Sequence, residues 1–369
     1  MIPRACVRLT FIDVRYLMSV PRLHTRLCDL VGVPYPIVQT GMGWVAGPRL
    51  VVATANAGGL GILAAATLTF DEMVGAIEQV QQDTDAPFGV NLRADAEDID
   101  FRVEHLVRSE VRVASFAQAP GKATVNRLKD GGVVVIPTIG ARRHAEKVQE
   151  LGVDAVIAQG AEGGGHTGVV PTSVLVSQVA DVVDVPVIAA GGFVDGRGLA
   201  AALALGADGI AMGTRFLLTA ESTVPDVIKE KYLKTPVNGT VVTTAIDGIP
   251  QRVIATEVIR RLERASLMRF PRALMNAQRF RRITTISLRE LFTEGLRMKK
   301  TQNLTWSQVA LAANAPMLTR AAMVDGHVEI GIFPTGQGVG IIDELPSVAD
   351  LIPRIVAEAS DVLSHLSEI

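Results

Sequence analysis

A glycine-rich loop around one histidine is the part of the sequence best suited to chemistry. The segment QGAEGGGHTG spans residues 159–168, follows a short apolar run and contains His166. Such a glycine density costs conformational entropy unless the backbone has to approach a ligand closely. A histidine can relay a proton or hydrogen bond a substrate, although a lone histidine is usually structural. The loop setting favours the functional interpretation, and the Gln159 amide could bond the edge of a heterocycle.

Two glycine sites follow the last two apolar runs of the same pattern. They are the pairs Gly191-Gly192 and Gly213-Thr214. Glycine lets the backbone come close to a phosphate, and the N–H groups at a helix start attract negative charge. The stretch FVDGRGLAAALALGADG after Gly192 is predicted to begin such a helix. Either pair alone could be a tight turn, but two pairs on consecutive strands favour a phosphate site.

A polar residue near the end of the third apolar run adds a candidate ligand for a flat ring. Asn91 lies in FGVNL, and a turn-capping asparagine is the alternative interpretation. The other histidines have no motif around them and are interpreted as surface or structural: His24, His105, His144, His327 and His365. No histidine or carboxylate pair has metal-ligand spacing, so we expect no metal site. No nucleophile elbow or Walker motif is present.

Eight alternating strand and helix units would have to position these residues. The predicted strands are the apolar runs at 36–42, 60–66, 88–92, 111–117, 132–140, 155–160, 186–192 and 209–216. Helical stretches such as 48–57 and 71–82 separate them. Uniformly apolar strands indicate a parallel sheet buried on both faces. The pattern predicts an α/β fold of the TIM (β/α)8 barrel type, in which loops at the carboxyl ends of strands build the site. An open doubly wound sheet is the alternative, but the first turn lacks G-x-G-x-x-G.

Composition excludes several classes of protein. The 369 residues are 48% hydrophobic, with 36 basic against 38 acidic residues, which argues against disorder and against a nucleic-acid partner. No apolar run approaches the ~18 residues of a membrane span, and the amino-terminal segment has no apolar core typical of a signal peptide. Two cysteines, Cys6 and Cys28, cannot form a disulfide framework, so a cytoplasmic location is expected. A homo-oligomer is left open.

A strongly basic segment interrupts the barrel pattern. The chain divides into an N-terminal extension at 1–20, a barrel at 21–235 and 325–369, and an inserted helical lid subdomain at 236–324. Between Arg252 and Lys300, 13 basic residues face 4 glutamates, a net charge of +9 that leaves −11 for the rest. A solvated helix face, or a contact with an anionic lipid or a nucleic acid, would explain this charge. Met18 could be the native start, because the barrel pattern begins only after it.

Together these motifs resemble the nitronate monooxygenase family of FMN barrels, which also contains flavin-type enoyl-thioester reductases. The resemblance covers the chain from about residue 34 and rests on PIVQTGM, NAGGLG, FGVNL, QGAEGGGHTG, AAGGFVDGRGLAAALALGADG, MGTRFLLTAES and GQGVG. It implies bound FMN, with the phosphate on the two glycine pairs, and His166 as the catalytic histidine. The implied cofactor-binding residues are Gly41, Met42, Gly43, Asn91, Gln159, Gly164, Gly165, Gly191, Gly192, Met212, Gly213 and Thr214.

Several segments depart from the nitronate-oxidising pattern and favour another branch. QTGMGWVAGPRL stands where a Pro-Met pair is expected, and RADAED follows the third strand. With STVPDVIKEKYL, NGTVVTT and LTWSQVALAAN, the chain resembles actinobacterial flavin oxidoreductases that act on hydroxy-indane-carboxyl-CoA esters in steroid C/D-ring degradation. This implies hydride transfer between FMN and a ring-bearing CoA thioester, with NADH or NADPH as electron partner. Arginine binds the phosphates of CoA well, so the basic segment supports this interpretation. A nitronate monooxygenase using O2 is the alternative.

Overall fold

A closed barrel of eight parallel strands forms the centre of the protein. The computed structural model describes residues 23–265 and 317–369. The barrel strands are β1 Ile37–Gln39, β2 Leu60–Ala64, β3 Phe88–Leu92, β4 Val113–Phe116, β5 Val134–Ile139, β6 Val156–Gln159, β8 Val187–Ala190 and β9 Gly209–Met212, while β7 Gly165–His166 lies outside the barrel. Parallel pairing of β9 with β1 closes the ring, with Ile37 opposite Ile210. All eight predicted strands and the barrel are therefore confirmed, and the open-sheet alternative is wrong.

Helices cover the outside of the barrel. They are α1 Arg26–Val31, α2 Pro48–Asn56, α3 Phe70–Asp83, α4 Ile99–Arg108, α5 Lys122–Asp130, α6 Arg142–Glu150, α7 Thr172–Ala180, α8 Gly196–Ala204, α9 Thr214–Leu217, α10 Asp226–Leu233, α11 Glu257–Ala265 and α12 Val348–Ser367. The helices predicted at 48–57 and 71–82 are confirmed as α2 and α3, and α3 begins with a capping box between Thr69 and Glu72. Helix α12 packs on α8, so the chain returns to the barrel as predicted.

Two layers of apolar side chains explain why the strand sequences are uniformly hydrophobic. The barrel interior is filled from alternate strand positions by Val38, Leu60, Ile62, Val113, Ile136, Ile157, Ile188 and Ala211. Neighbouring residues such as Leu63, Val90 and Val135 point the other way and pack against the helices. Helix α1 adds Leu27 and Val31 to the interior cluster and so covers the end where the strands begin. We therefore expect the functional site at the opposite end of the barrel, where the strands end.

The segment predicted as a helical lid begins as a β-hairpin. Strands β10 Thr240–Thr243 and β11 Gln251–Ile254 are antiparallel, and β11 also pairs with β7. The expectation of helix is wrong here, because the β-branched runs TVVTT and QRVIAT favour strands. Helix α11, within the sequence TEVIRRLERASLM, is a helical part of this predicted segment.

Parts of several predictions lie outside the described residues. These are the N-terminal extension with Cys6 and Met18, and the segment 266–316 with SLRELFTEGLRMK and LTWSQVALAAN. The domain boundaries therefore stay predictions. No helix within 23–265 or 317–369 is both long and apolar enough to cross a membrane. The Cys28 thiol is free and buried, and burial raises its pKa.

Candidate active site

The carboxyl ends of the barrel strands bring most of the predicted site residues to one face, which we call the barrel mouth. Gln159 and Met212 are the last residues of β6 and β9, and Asn91 is the next-to-last residue of β3. Gln39 at the end of β1 is in register with Met212. Because the eight strands are parallel and the ring is closed, these ends surround a single opening.

The loop after β6 is folded back on itself by hydrogen bonds from its own side chains. The Gln159 amide nitrogen donates to the backbone carbonyl of His166 at 2.7 Å. The Thr167 hydroxyl donates to the carbonyl of Gly160 at 3.0 Å. A Cβ on Gly163 would lie 2.8 Å from the Gln159 amide nitrogen, so glycine is required for this closure. Gln159, predicted as a cofactor contact, thus also holds the His166 backbone.

His166 is paired with an aspartate that the sequence analysis missed. Its Nε2 atom lies 2.7 Å from Oδ2 of Asp247, in the turn between β10 and β11. Gln251 donates to the same carboxylate oxygen, and the N–H of Ile249 donates to Oδ1 at 3.0 Å. The side chain of Asp247 is 13% exposed and that of His166 is 57% exposed. The histidine therefore presents an accessible ring whose other edge is held by a shielded carboxylate.

The Asp247 carboxylate is ionised at neutral pH. Burial alone would raise its pKa, but hydrogen bonding and charge from His166 and the bonds from Gln251 and Ile249 outweigh burial. The net effect lowers the pKa of Asp247 below its ordinary value. The available signal was the Asp-Gly dipeptide in AIDGIP between two β-branched runs, which is typical of a hairpin turn.

Both predicted phosphate glycine pairs lie against one late segment of the chain. The Thr214 hydroxyl oxygen accepts a hydrogen bond of 2.9 Å from the N–H of Gly336. A Cβ on Gly338 would lie 3.1 Å from the carbonyl oxygen of Gly192. The segment Thr335 to Gly338, which overlaps the late GQGVG motif, therefore connects the ends of β8 and β9, and none of the predicted site residues lies in it.

Two carboxylates lie at the start of helix α8, where the sequence analysis expected a phosphate. The Asp195 carboxylate accepts from the N–H of Gly198 at 3.0 Å, and the N–H of Gly196 donates to Glu358 at 2.9 Å. Two carboxylates thus bond two N–H groups of the first turn, and phosphate binding at the start of α8 stays a prediction. The argument from close backbone approach remains, because Gly191 and Gly192 have φ of +105° and +87°.

Glycine at position 164 is needed for the contact between the β6 loop and the late segment. A Cβ there would lie 2.5 Å from the carbonyl carbon of Thr335 and 2.6 Å from the nitrogen of Gly336. Both neighbours are backbone atoms and cannot rotate away. In the same place the N–H of Gln337 donates to the carbonyl of Glu162 at 2.9 Å.

We expect Gly164→Ala to separate these two segments and weaken flavin binding. The overpacking should cost about 1–3 kcal/mol of unfolding free energy. Flavin content per chain after gel filtration and the denaturant midpoint are the measurements. Gly140→Ala is the matched control, because its Cβ would have its nearest neighbour at 3.8 Å. Equal flavin content in both variants would contradict the expectation.

The loop after β1, next to the end of β9, meets the end of β3 at the mouth. A Cβ on Gly41 would lie 2.4 Å from the Cβ of Asn91, so glycine permits this approach. The Asn91 amide nitrogen donates to the Ser115 hydroxyl at 2.9 Å, which leaves its oxygen as the group for a ligand. A Cβ on Gly43 would lie 3.0 Å from Thr67. Trp44 adopts φ of +62°, a conformation that is uncommon for a bulky residue.

A buried polar atom at the end of β1 has no partner among the described residues. The Gln39 side chain is fully buried, and its amide nitrogen donates to the carbonyls of Ile62 (at 3.2 Å) and Thr40. Its oxygen Oε1 has no hydrogen bond. A buried acceptor without a donor is costly, and a heterocycle carrying N–H groups would satisfy it. No cluster of three or more metal-ligating side chains occurs within 23–265 and 317–369.

Comparison with known proteins connects this geometry to one family. The sequence profile of the nitronate monooxygenase family matches residues 24–101 and 96–358. The chain is 57% identical, over 94% of its length and 98% of the relative's, to the (3aS,4S,5R,7aS)-5-hydroxy-7a-methyl-1-oxo-octahydro-1H-indene-4-carboxyl-CoA dehydrogenase of Mycobacterium tuberculosis. The protein of the same name from Rhodococcus jostii is 55% identical over 91% of this chain and 96% of the relative. The structure of FabK from Thermotoga maritima aligns with a TM-score of 0.78 and 36% identity over 94% of this chain and 99% of that one.

Proposed function

Because the chain belongs to the nitronate monooxygenase family of oxidoreductases, we propose that it is an FMN-dependent dehydrogenase of a ring-bearing CoA thioester. The observation that carries the proposal is the 57% identity, over 94% of the chain, to an indene-carboxyl-CoA dehydrogenase. Steroid or cholesterol ring catabolism is the corresponding proposal for the pathway. The two site features that favour it are the buried acceptor of Gln39 and the accessible ring of His166.

We propose that the barrel mouth holds both the phosphate and the ring of FMN. We assign the phosphate to the backbone of Gly191, Gly192, Gly213 and Thr214. We assign the ring to the space between the strand ends and loops that carry Gly41, Met42, Gly43, Asn91, Gln159, Gly164, Gly165 and Met212. When bound, the flavin supplies a two-electron acceptor for hydride. The unpartnered Gln39 oxygen supports a ligand with N–H groups in this place.

The reaction asks the chain to handle a proton beside the thioester. Enoyl-thioester reduction and thioester dehydrogenation are the same exchange in opposite directions, with hydride at the β carbon and a proton at the α carbon. His166 is the group assigned to the proton, because histidine exchanges protons near neutral pH. NADH or NADPH is the assigned electron partner.

The basic segment supports CoA binding through the later part of the range Arg252 to Lys300. Arg252 donates to the carbonyl of Ala161 at 3.0 and 3.1 Å and to the Thr240 hydroxyl, so it fixes the β6 loop. Arg260 and Arg261 both pair with Glu257 on α11. The assignment of CoA phosphates therefore passes to residues 266–300, which hold seven Arg, two Lys and two Glu and lie outside the described residues.

The deciding experiment offers two substrates to the flavin in the absence of oxygen. The purified protein should be yellow and release FMN, not FAD. The hydroxy-indene-carboxyl-CoA ester should bleach the oxidised flavin, NAD+ or NADP+ should restore it, and the product should lack one hydrogen at each of the α and β carbons. A colourless protein that does not take up FMN would contradict the proposal. Bleaching by an alkyl nitronate alone, with recovery only in O2, would establish the nitronate monooxygenase alternative. A product with a ketone at ring position 5 would show that the carbon bearing the ring hydroxyl is oxidised, instead of the α and β carbons.

A further inference from the structure

We propose that Asp247 is a positioning residue that fixes the tautomer of His166, so that Nδ1 is the atom that exchanges a proton with the substrate. This inference rests on the proposed function only for the identity of that substrate. The tautomer itself is a property of the protein and is measured without turnover. Nothing in the sequence motifs assigned a role to Asp247, because it lies in the segment that was expected to be a helical lid.

The pairing geometry determines which ring nitrogen carries the hydrogen. An ionised carboxylate only accepts hydrogen bonds, so the 2.7 Å contact between Asp247 Oδ2 and Nε2 requires a hydrogen on Nε2. In the neutral ring the lone pair then lies on Nδ1. Nδ1 makes no hydrogen bond to any part of 23–265 or 317–369. Among these residues, Asp247 is the charged group in contact with the imidazole.

The carboxylate is itself held in place, which a positioning role requires. The N–H of Ile249 bonds one oxygen, and Gln251 together with His166 bonds the other. Gln251 is also the residue that pairs with His166 in the β7–β11 ladder. The ring of His166 is consequently held by Asp247, and its backbone is held by Gln251 and Gln159.

The small sheet of β10, β11 and β7 connects the hairpin, which carries Asp247, to the barrel. Strand β11 pairs with β7 at two positions, His166 with Gln251 and Gly165 with Arg252. The Arg252 guanidinium, whose pKa burial lowers, anchors the hairpin to the Ala161 carbonyl in the β6 loop. The hairpin of β10 and β11 is thus held against the β6 loop. The segment after residue 236, which interrupts the barrel pattern, therefore brings Asp247 to His166.

The proton step balances with the oxidant already named. In dehydrogenation the C–H bond at the α carbon breaks and its proton moves to Nδ1 of His166. The electron pair of that bond would form the new α–β double bond, and a flavin held at the barrel mouth would supply the acceptor for the hydride of the β carbon. The Asp247 carboxylate, 2.7 Å from Nε2, is the counter-charge beside the imidazolium. In reduction the same proton returns from Nδ1 to the α carbon.

The test compares wild type with Asp247→Asn and Asp247→Glu in the FMN-loaded protein. In histidine-labelled protein, two-bond ¹H–¹⁵N spectra should give His166 the Nε2–H pattern, identified as the signals lost in His166→Ala. Asp247→Asn should shift it toward a mixture or toward Nδ1–H and lower kcat about 10²-fold or more, with KM changed less than 3-fold. Asp247→Glu should restore the tautomer and part of kcat. Asp325→Asn, which removes an exposed carboxylate elsewhere, is the matched control.

The outcomes separate this inference from the proposed function. An Nδ1–H pattern in wild type, or an unchanged pattern and kcat in Asp247→Asn, would overturn the positioning role. If no CoA ester is turned over but the tautomer still changes in Asp247→Asn, the proposed function fails and the positioning role stands. Should Asp247→Asn not fold, the wild-type tautomer and the Glu variant decide the question alone.

Discussion

Replacing His166 with alanine is expected to leave the flavin bound and to lower kcat by about 10²- to 10⁴-fold. The imidazole is 57% exposed, and within 23–265 and 317–369 its side-chain hydrogen bond is with Asp247. The backbone at this position is held independently by the Gln159 amide and by the ladder with Gln251. Truncation would therefore remove the group to which we assign proton exchange without removing a support of the barrel. Flavin absorbance per chain and kcat with the CoA ester are the measurements.

A matched histidine elsewhere on the surface serves as the control for this variant. His365→Ala near the end of α12 should change neither flavin content nor kcat, because that side chain is exposed and lies on the final helix. A normal flavin spectrum with unchanged turnover in His166→Ala would show that the histidine is structural. Loss of flavin in the same variant would instead place His166 among the cofactor supports.

The barrel could be predicted from sequence because its signal is local and repeated. Each strand is a short apolar run, and burial on both faces removes the polar alternation that marks a half-exposed strand. Ile62 faces the interior and Leu63 the helices, so consecutive residues of one strand are both buried. The positions of Gln159, Gly191 and Gly213 followed directly, because the end of a predicted parallel strand specifies the face of the barrel.

The remaining parts of the site depend on contacts between distant segments. Asp247 reaches His166 across 81 positions of sequence, and Thr214 is bonded by Gly336 across 122. No period in the sequence records such pairings. The two-residue strand β7 is likewise too short to give an alternating pattern, and it forms only because β11 provides its partner. Sequence reasoning therefore located the histidine and missed the carboxylate that orients it.

Several glycines of the predicted ligand motifs make room for other parts of the protein. Gly41 admits Asn91, Gly163 admits Gln159, and Gly164 admits the late segment, so each makes room for protein atoms. The ligand site predicted from the glycine-rich motif stays a prediction, while these individual glycines serve internal packing. Only a position where a side chain would fit the protein but not the ligand can report on the cofactor itself.

Gly213 is that position, and Gly213→Leu is expected to give a folded protein almost free of FMN. Its φ of −101° is an ordinary conformation for any residue. A Cβ there would meet Met42 Sδ and Thr40 Oγ1 at 3.4 Å, which is normal van der Waals contact. The bulky side chain would then occupy the space assigned to the phosphate. Gly213→Ala should lower flavin content partly, in proportion to the smaller group.

Gly191 provides the contrasting variant. There φ is +105°, and a Cβ would lie 2.9 Å from the Thr172 hydroxyl and 3.0 Å from the nitrogen of Gly163, so Gly191→Ala strains the chain itself. We expect Gly191→Ala to lower the melting temperature of flavin-free protein, whereas Gly213→Leu should match flavin-free wild type. Gly75→Leu, on an exposed and open position of α3, controls for the added bulk. Full FMN content in Gly213→Leu would remove the phosphate from this strand end, because a leucine and a backbone-bound phosphate cannot share the same space.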